Sequence, residues 1–158
     1  MKYRNKDLTR AREDYLETIL VLSGKEAGIR PIDIAKFKKV SKATVSATLS
    51  ALRDSGYLYY DECRTIRFTA KGRRAAEAVL RKHNVLFRFL TLHLGVPRAA
   101  AQEAACKMEH SIDLEIAKKL SSFIEGLDGN PAHPGNSTEL SRPQSRPCGV
   151  GKIFLKKS

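Results

Sequence analysis

The chain has 158 residues, 42% of them apolar, and 29 Lys/Arg against 17 Asp/Glu give a formal net charge of +12; that is enough chain for one domain or two small ones sharing a core. No apolar run reaches the length of a membrane-spanning helix, and the N-terminal MKYRNKDLTRARED lacks the apolar core of a secretory leader, so a cytoplasmic location and no membrane partner are expected. Three widely spaced cysteines make no disulfide framework and suggest a reducing compartment. The first 74 residues hold 17 Lys/Arg and 9 Asp/Glu, so most of the positive excess sits in the half expected to meet phosphate.

In chain order, Leu8 to about Ser23 is predicted helical, with Tyr15, Leu16, Ile19, Leu20 and Leu22 at three- and four-residue spacing and Gly24 as its stop. Gly28 breaks the chain, and Pro31 suits the first turn of a short helix over Ile32–Lys38. Ser41 is a good N-cap for a third helix, Lys42 to Asp54, with Val45, Leu49 and Leu52 on one face and Ser55-Gly56 as the stop. Tyr57–Tyr60 and Thr65–Thr69 favour strand around a polar turn, Asp61–Arg64, which makes a wing. A long helix is expected from Ala70 to about Leu94, broken by Gly95-Val96-Pro97, then helices over Ala99–His110 and Ile112–Ile124, the last ended by Gly126. The expected architecture is mainly α with a small β-hairpin. Residues 1–74 form a winged helix-turn-helix, 75–126 a helical domain, and 127–158 a Gly/Pro/Ser-rich basic tail that cannot build a core and is expected to be dispensable.

Two short helices joined by a tight turn, the second starting with small polar residues, suit the major groove of double-stranded DNA. Ser41, Lys42, Ala43, Thr44 and Ser46 stand at the start of the expected recognition helix, where hydroxyls can meet phosphate or base edges and Ala43 a thymine methyl. Lys36, Lys38, Lys39 and Lys42 supply charge for phosphates, and Arg64 and Arg67 on the wing can reach the backbone or minor groove.

Metal-type side chains gather in the predicted helices. Asp14 and Glu17 share a face of the first, His83 lies on the long one, and Cys106, Glu109 and His110 fall at i, i+3 and i+4. Singly they read as a solvated face, a core histidine and a small buried cysteine. Together, thiolate, carboxylate and imidazole suit a transition metal.

The ordered segments REDYLETIL (12–20), DIAKFKKVSKATVSATLSAL (33–52), FTAKGRRAA (68–76), RKHNVLFRFL (81–90) and CKMEHSID (106–113) resemble the diphtheria-toxin-repressor and manganese-transport-regulator family of metal-dependent repressors. The resemblance covers about residues 8–126. It implies a metal site at Asp14, Glu17, His83, Cys106, Glu109 and His110, a homodimer formed through the helical domain, and a palindromic operator bound when the metal is loaded. Asp14 matches the manganese-type pattern and Cys106 the iron-type pattern, so Mn²⁺ or Fe²⁺ is expected first and Zn²⁺ or Co²⁺ behind. The ligands belong to both domains, so a cation would offset the repulsion of carboxylates and thiolate and hold the recognition helices at operator spacing.

Departures from the family pattern are specific. Phe87 and Gln102 replace the glutamate and histidine of a second site, Thr65 stands where glycine is common in the wing, and Lys38-Lys39 replace the usual Leu-Gly. An enzyme acting on a small organic substrate is not expected: a di-iron bundle needs paired Glu-x-x-His motifs, which this sequence lacks. The alternative reading is a metal-independent winged-helix regulator with structural histidines.

Overall fold

The computed structural model describes residues 8–24 and 29–128. The elements are α1 (Arg10–Ser23), α2 (Pro31–Lys38), α3 (Lys42–Asp54), β1 (Leu58–Tyr60), β2 (Ile66–Phe68), α4 (Ala70–Arg88), α5 (Arg98–Met108) and α6 (Leu114–Asp128), with a π-helical turn at Phe89–His93 after α4. The described residues fall into two compact units, 8–76 and 77–128, and the division lies within α4.

The first unit is a three-helix cluster closed by a hairpin. Thr9 caps α1 by accepting from the Arg12 N–H, so that helix starts two residues later than its apolar pattern predicts. Ser41 caps α3 by accepting from the Thr44 N–H at 3.1 Å, as its position predicts. Tyr15, Leu16 and Ile19 of α1, Ile34 of α2 and Val45, Leu49 and Leu52 of α3 meet Tyr57, Leu58 and Ile66 of the hairpin in one core. β1 and β2 pair antiparallel with Tyr59 opposite Arg67. The Ile66 N–H donates to the Ile29 carbonyl at 2.8 Å, which ties the entry to α2 onto the wing.

Two departures from family glycine positions are absorbed in the backbone. Lys39 ends α2 in the left-handed region, at φ 54°, a conformation that normally favours glycine. In the wing turn the left-handed residue is Arg64, at φ 55°, one position before Thr65. Thr65 serves another purpose: its hydroxyl and N–H both donate to Asp61, and Arg67 Nε donates to the same carboxylate at 2.9 Å. These donors hold the Asp61 carboxyl down to about 2, the Thr65 hydroxyl having the largest effect.

In the second unit Val79, Leu86, Ala101, Ala105, Ala117 and Ile124 are buried. Three expected boundaries are corrected. The long α-helix stops at Arg88 and finishes in the π-helical turn, whose C-cap is Leu94, followed by Gly95 at φ 64°. α5 ends at Met108, so Glu109 and His110 sit in the turn that closes it. α6 begins at Leu114 and runs through Gly126 to Asp128. A helical glycine costs about 1 kcal/mol, too little to stop a helix whose apolar face continues through Leu120, Ile124 and Leu127. The tail beyond Asp128, with His133 and Cys148, lies outside the described residues. No helix among the described residues is long and apolar enough to cross a membrane.

Candidate nucleic-acid interface and metal centre

α3 separates its two jobs by face. Val45, Leu49 and Leu52 are buried, while Ser41, Lys42, Ala43, Thr44 and Ser46 are all exposed. The Ser41 hydroxyl is held by the cap and lies 2.8 Å from the Thr44 hydroxyl, so these two groups are pre-positioned. Lys36 and Lys39 are also exposed.

Lys42 and Ser46 line an open cleft of about 490 Å³ that extends to Arg30 at the start of α2 and to Cys63 and Arg64 in the wing turn. Three cations on three elements therefore converge on one concave surface, which suits a phosphate. Arg67 lies on the opposite register position from Tyr59, and its guanidinium braces the turn through Asp61. Arg30 and Cys63 were not among the sequence candidates. Their proximity to α3 depends on how the hairpin folds back, and no local spacing encodes it.

In the second unit, His83 and Glu109 are almost wholly buried. The Gln102 amide donates to His83 Nε2 at 3.0 Å, so Nδ1 carries the proton and donates to Glu109 Oε2 at 2.6 Å. His110 Nε2 lies 3.2 Å from Glu109 Oε1, and the His110 side chain is also buried. Phe87 stacks on His83 with ring centroids 6.3 Å apart, and Arg98 lies over Phe87 at 5.1 Å. The two residues that replace family second-site ligands thus both support His83. Sequence comparison of positions showed only what they lack, and not what they hold.

Cys106, on the last turn of α5, brings its sulfur into range. Ligand atoms of His83, Cys106 and Glu109 all lie within 4.8 Å of one another. Ligation through Cys106 requires the reduced thiolate.

The local electrostatics favour a cation. Glu109 closes α5, its N–H bonding the Ala105 carbonyl at 2.9 Å, so a buried carboxylate stands at the negative end of a helix. A carboxylate removed from water needs compensating positive charge. The imidazole, carboxylate and sulfur donors are those of a divalent transition ion.

Asp14 and Glu17 lie in the other unit, on α1, with Glu17 fully buried. The half-buried Lys38 is drawn to them: burial lowers its ammonium below the ordinary lysine range, and the charges of Asp14 and Glu17 oppose that shift. Its Nζ stands 5.0 Å above the Tyr15 ring.

Two family models match the chain. The N-terminal DNA-binding domain of iron-dependent repressors covers residues 7–66, and their metal-binding and dimerisation domain covers 69–134. An uncharacterised helix-turn-helix transcriptional regulator of Methanocaldococcus jannaschii is 33% identical over 119 residues, 75% of this chain and 95% of its own length. The diphtheria toxin repressor of Corynebacterium glutamicum is 33% identical over 156 residues, 95% of this chain and 68% of its own. Among solved structures, the manganese regulator SloR aligns with a TM-score of 0.65 at 29% identity, over 75% of this chain and 55% of that one. A manganese-dependent transcriptional repressor in complex with manganese aligns with a TM-score of 0.64 at 25% identity, over 72% and 52%. The chain spans about half the length of these two solved structures and 54% of the Corynebacterium jeikeium diphtheria toxin repressor. With the winged helix-turn-helix in the range of one model and the His83/Cys106/Glu109 cluster in the range of the other, the chain belongs to the iron-dependent repressor family.

Proposed function

We propose that this protein is a cytoplasmic, metal-dependent transcriptional repressor that binds a palindromic operator as a homodimer when loaded with a divalent transition metal. Mn²⁺ or Fe²⁺ is the first choice, with Zn²⁺ or Co²⁺ behind. The observation that carries this reading is the buried Glu109 carboxylate between His83 and His110, in a chain that also presents an exposed, basic recognition helix. The family models describe a repressor rather than an enzyme.

The proposed ligands are His83, Cys106, Glu109 and His110 of the helical unit with Asp14 and Glu17 of the DNA-binding unit. A bound divalent ion would supply positive charge to these carboxylates and the ligand bonds that order them. His83 would offer a ring nitrogen to the ion, giving up the contact which that nitrogen now makes with Glu109 or Gln102. Because both units contribute ligands, loading biases the recognition helices toward the operator-bound arrangement, a coupling of about 1–3 kcal/mol. Ile116 and Phe123 of α6 are 54% and 57% exposed, apolar surface that suits a second copy of the chain. The test is selection from a random duplex pool with and without Mn²⁺ or Fe²⁺. The reading expects a two-fold symmetric sequence recovered only with metal; a metal-independent winged-helix regulator would recover its site in both arms.

Lys42→Ala should weaken binding to every duplex alike and lower the salt slope by about 0.9, the share of one phosphate contact. Thr44→Ala or Ser46→Ala should instead shift sequence preference if those hydroxyls reach base edges. Binding isotherms at several salt concentrations check this, and an unchanged slope in Lys42→Ala contradicts the docking.

Cys106→Glu should keep the regulator active but move its preference toward Mn²⁺, because a hard carboxylate replaces a soft thiolate. Operator-binding titrations with Mn²⁺, Fe²⁺, Co²⁺ and Zn²⁺, run anaerobically with a thiol reductant, measure the ranking. An unaltered ranking removes the softness argument and leaves the rest of the ligand set standing.

A further inference from the structure

We propose that Gln102 is a positioning residue for the metal centre. Its amide holds His83 at Nε2, which leaves Nδ1 as the ring nitrogen offered to a cation together with Glu109. The amide N–H serves the metal-free imidazole, and the amide carbonyl serves the loaded one. The inference rests on the reading of His83 and Glu109 as metal ligands.

Gln102 and Cys106 are four residues apart on α5 and so share a face of that helix. Gln102 is half-buried and reaches across to α4, where its amide nitrogen lies 3.0 Å from Nε2 of the almost wholly buried His83. The other ring nitrogen, Nδ1, lies 2.6 Å from Glu109 Oε2. An amide nitrogen only donates, so His83 accepts at Nε2 and carries its proton at Nδ1. Phe87 stacks on the ring with an interplanar angle of 10°. Two polar contacts thus fix the imidazole in its plane, and one ring fixes it across that plane.

The two polar contacts differ in what they can become. Nδ1 and Glu109 Oε2 are two potential ligand atoms already turned toward one another, with a proton between them. A cation that takes both atoms takes the place of that proton. The Nδ1–H bond is given up and an Nε2–H bond is made, so the ring stays neutral and Nε2 becomes a donor facing Gln102. A half-turn of the amide then exchanges N–H for carbonyl at the same position, and the carbonyl accepts the new N–H. Such an acceptor on the second nitrogen is what orients a histidine ligand and raises its basicity. Leucine at this position would fill the space and satisfy neither form of the ring, whereas a carboxylate would satisfy the loaded form.

The experiment uses the full chain under thiol reductant, with ¹⁵N-labelled histidine, as wild type, Gln102→Leu and Gln102→Glu. Ring ¹⁵N spectra without metal and with diamagnetic Zn²⁺ report which His83 nitrogen carries the proton, and calorimetric titration with Mn²⁺ gives the affinity. The expected wild-type result is a proton at Nδ1 without metal and at Nε2 with Zn²⁺. Gln102→Leu should bind Mn²⁺ about 10–100-fold more weakly. Gln102→Glu should bind at least as tightly as wild type and hold the proton at Nε2 even without metal. A proton retained at Nδ1 in the Zn²⁺-loaded wild type overturns the inference. So does unchanged Mn²⁺ affinity in Gln102→Leu, or equal weakening in Gln102→Glu, and each of these leaves the metal-dependent reading intact. Should the variants not fold, the wild-type spectra decide alone. A wild-type chain that binds neither ion overturns both.

Discussion

His110→Ala should abolish activation by every metal while leaving the DNA-binding surface folded. The imidazole is buried and lies 3.2 Å from Glu109, so truncation removes a proposed ligand and the near neighbour of a fully buried carboxylate at once. Loss of a supporting partner alone typically costs metal sites 10–100-fold in affinity, and loss of a ligand should exceed about a hundredfold. Cavity formation and the loss of a neighbour to the buried Glu109 carboxylate would also lower the stability of the helical unit. His110→Gln is the companion variant, because it fills more of the space and keeps a polar end. Circular dichroism confirms folding, and operator binding across a metal titration gives the answer. If His110→Ala bound the operator with unaltered metal dependence, the ligand set proposed above would be wrong.

Gly72→Ala should destabilise the DNA-binding unit more than any surface change in it. A Cβ built on Gly72 would stand 1.8 Å from the Tyr57 carbonyl oxygen and 2.7 Å from its carbonyl carbon. That carbonyl is pinned, since it accepts from both the N–H and the hydroxyl of Thr69, and the Tyr57 ring is fully buried. Lys71 reaches across the same junction to the Ser55 carbonyl at 2.9 Å, with its Nζ 4.2 Å from the Tyr57 ring centroid. Alanine raises helix propensity over glycine by about 1 kcal/mol. The clash acts on backbone that cannot step aside, so separating α4 from the hairpin should cost about 3 kcal/mol or more and win. For a unit of this size that is a fall of roughly 10 °C or more in Tm. Thermal unfolding of Gly72→Ala measures it, and an unchanged Tm would show that the α4–wing junction yields.

What the sequence shows of this protein follows from how local each signal is. Pro31, the Ser41 cap and the Ser55-Gly56 stop act within a few residues, so the helix-turn-helix was legible without any knowledge of packing. The alternation around Ile66 and the Asp61–Arg64 turn likewise marked the wing. Weak local signals misled: Gly126 carries too small a penalty to end α6, and the helical pattern running to about Leu94 hides the π-helical turn. Position-by-position reading also found Phe87 and Gln102 only as departures. Their contacts with His83 arise from tertiary placement, as does the convergence of Arg30 with Lys42 and Arg64. Spacing grouped Cys106, Glu109 and His110 as candidate ligands, although the helix that carries Cys106 stops one residue before Glu109.

The most direct test of a metal-dependent repressor is one equilibrium measurement: fluorescence anisotropy of a selected duplex against wild-type protein at fixed salt, first metal-free, then with Mn²⁺ or Fe²⁺ under reducing anaerobic conditions, then with EDTA. The account predicts an affinity gain of about 10–100-fold on loading, reversed by the chelator. Equal binding in all three states would contradict it and favour a metal-independent winged-helix regulator.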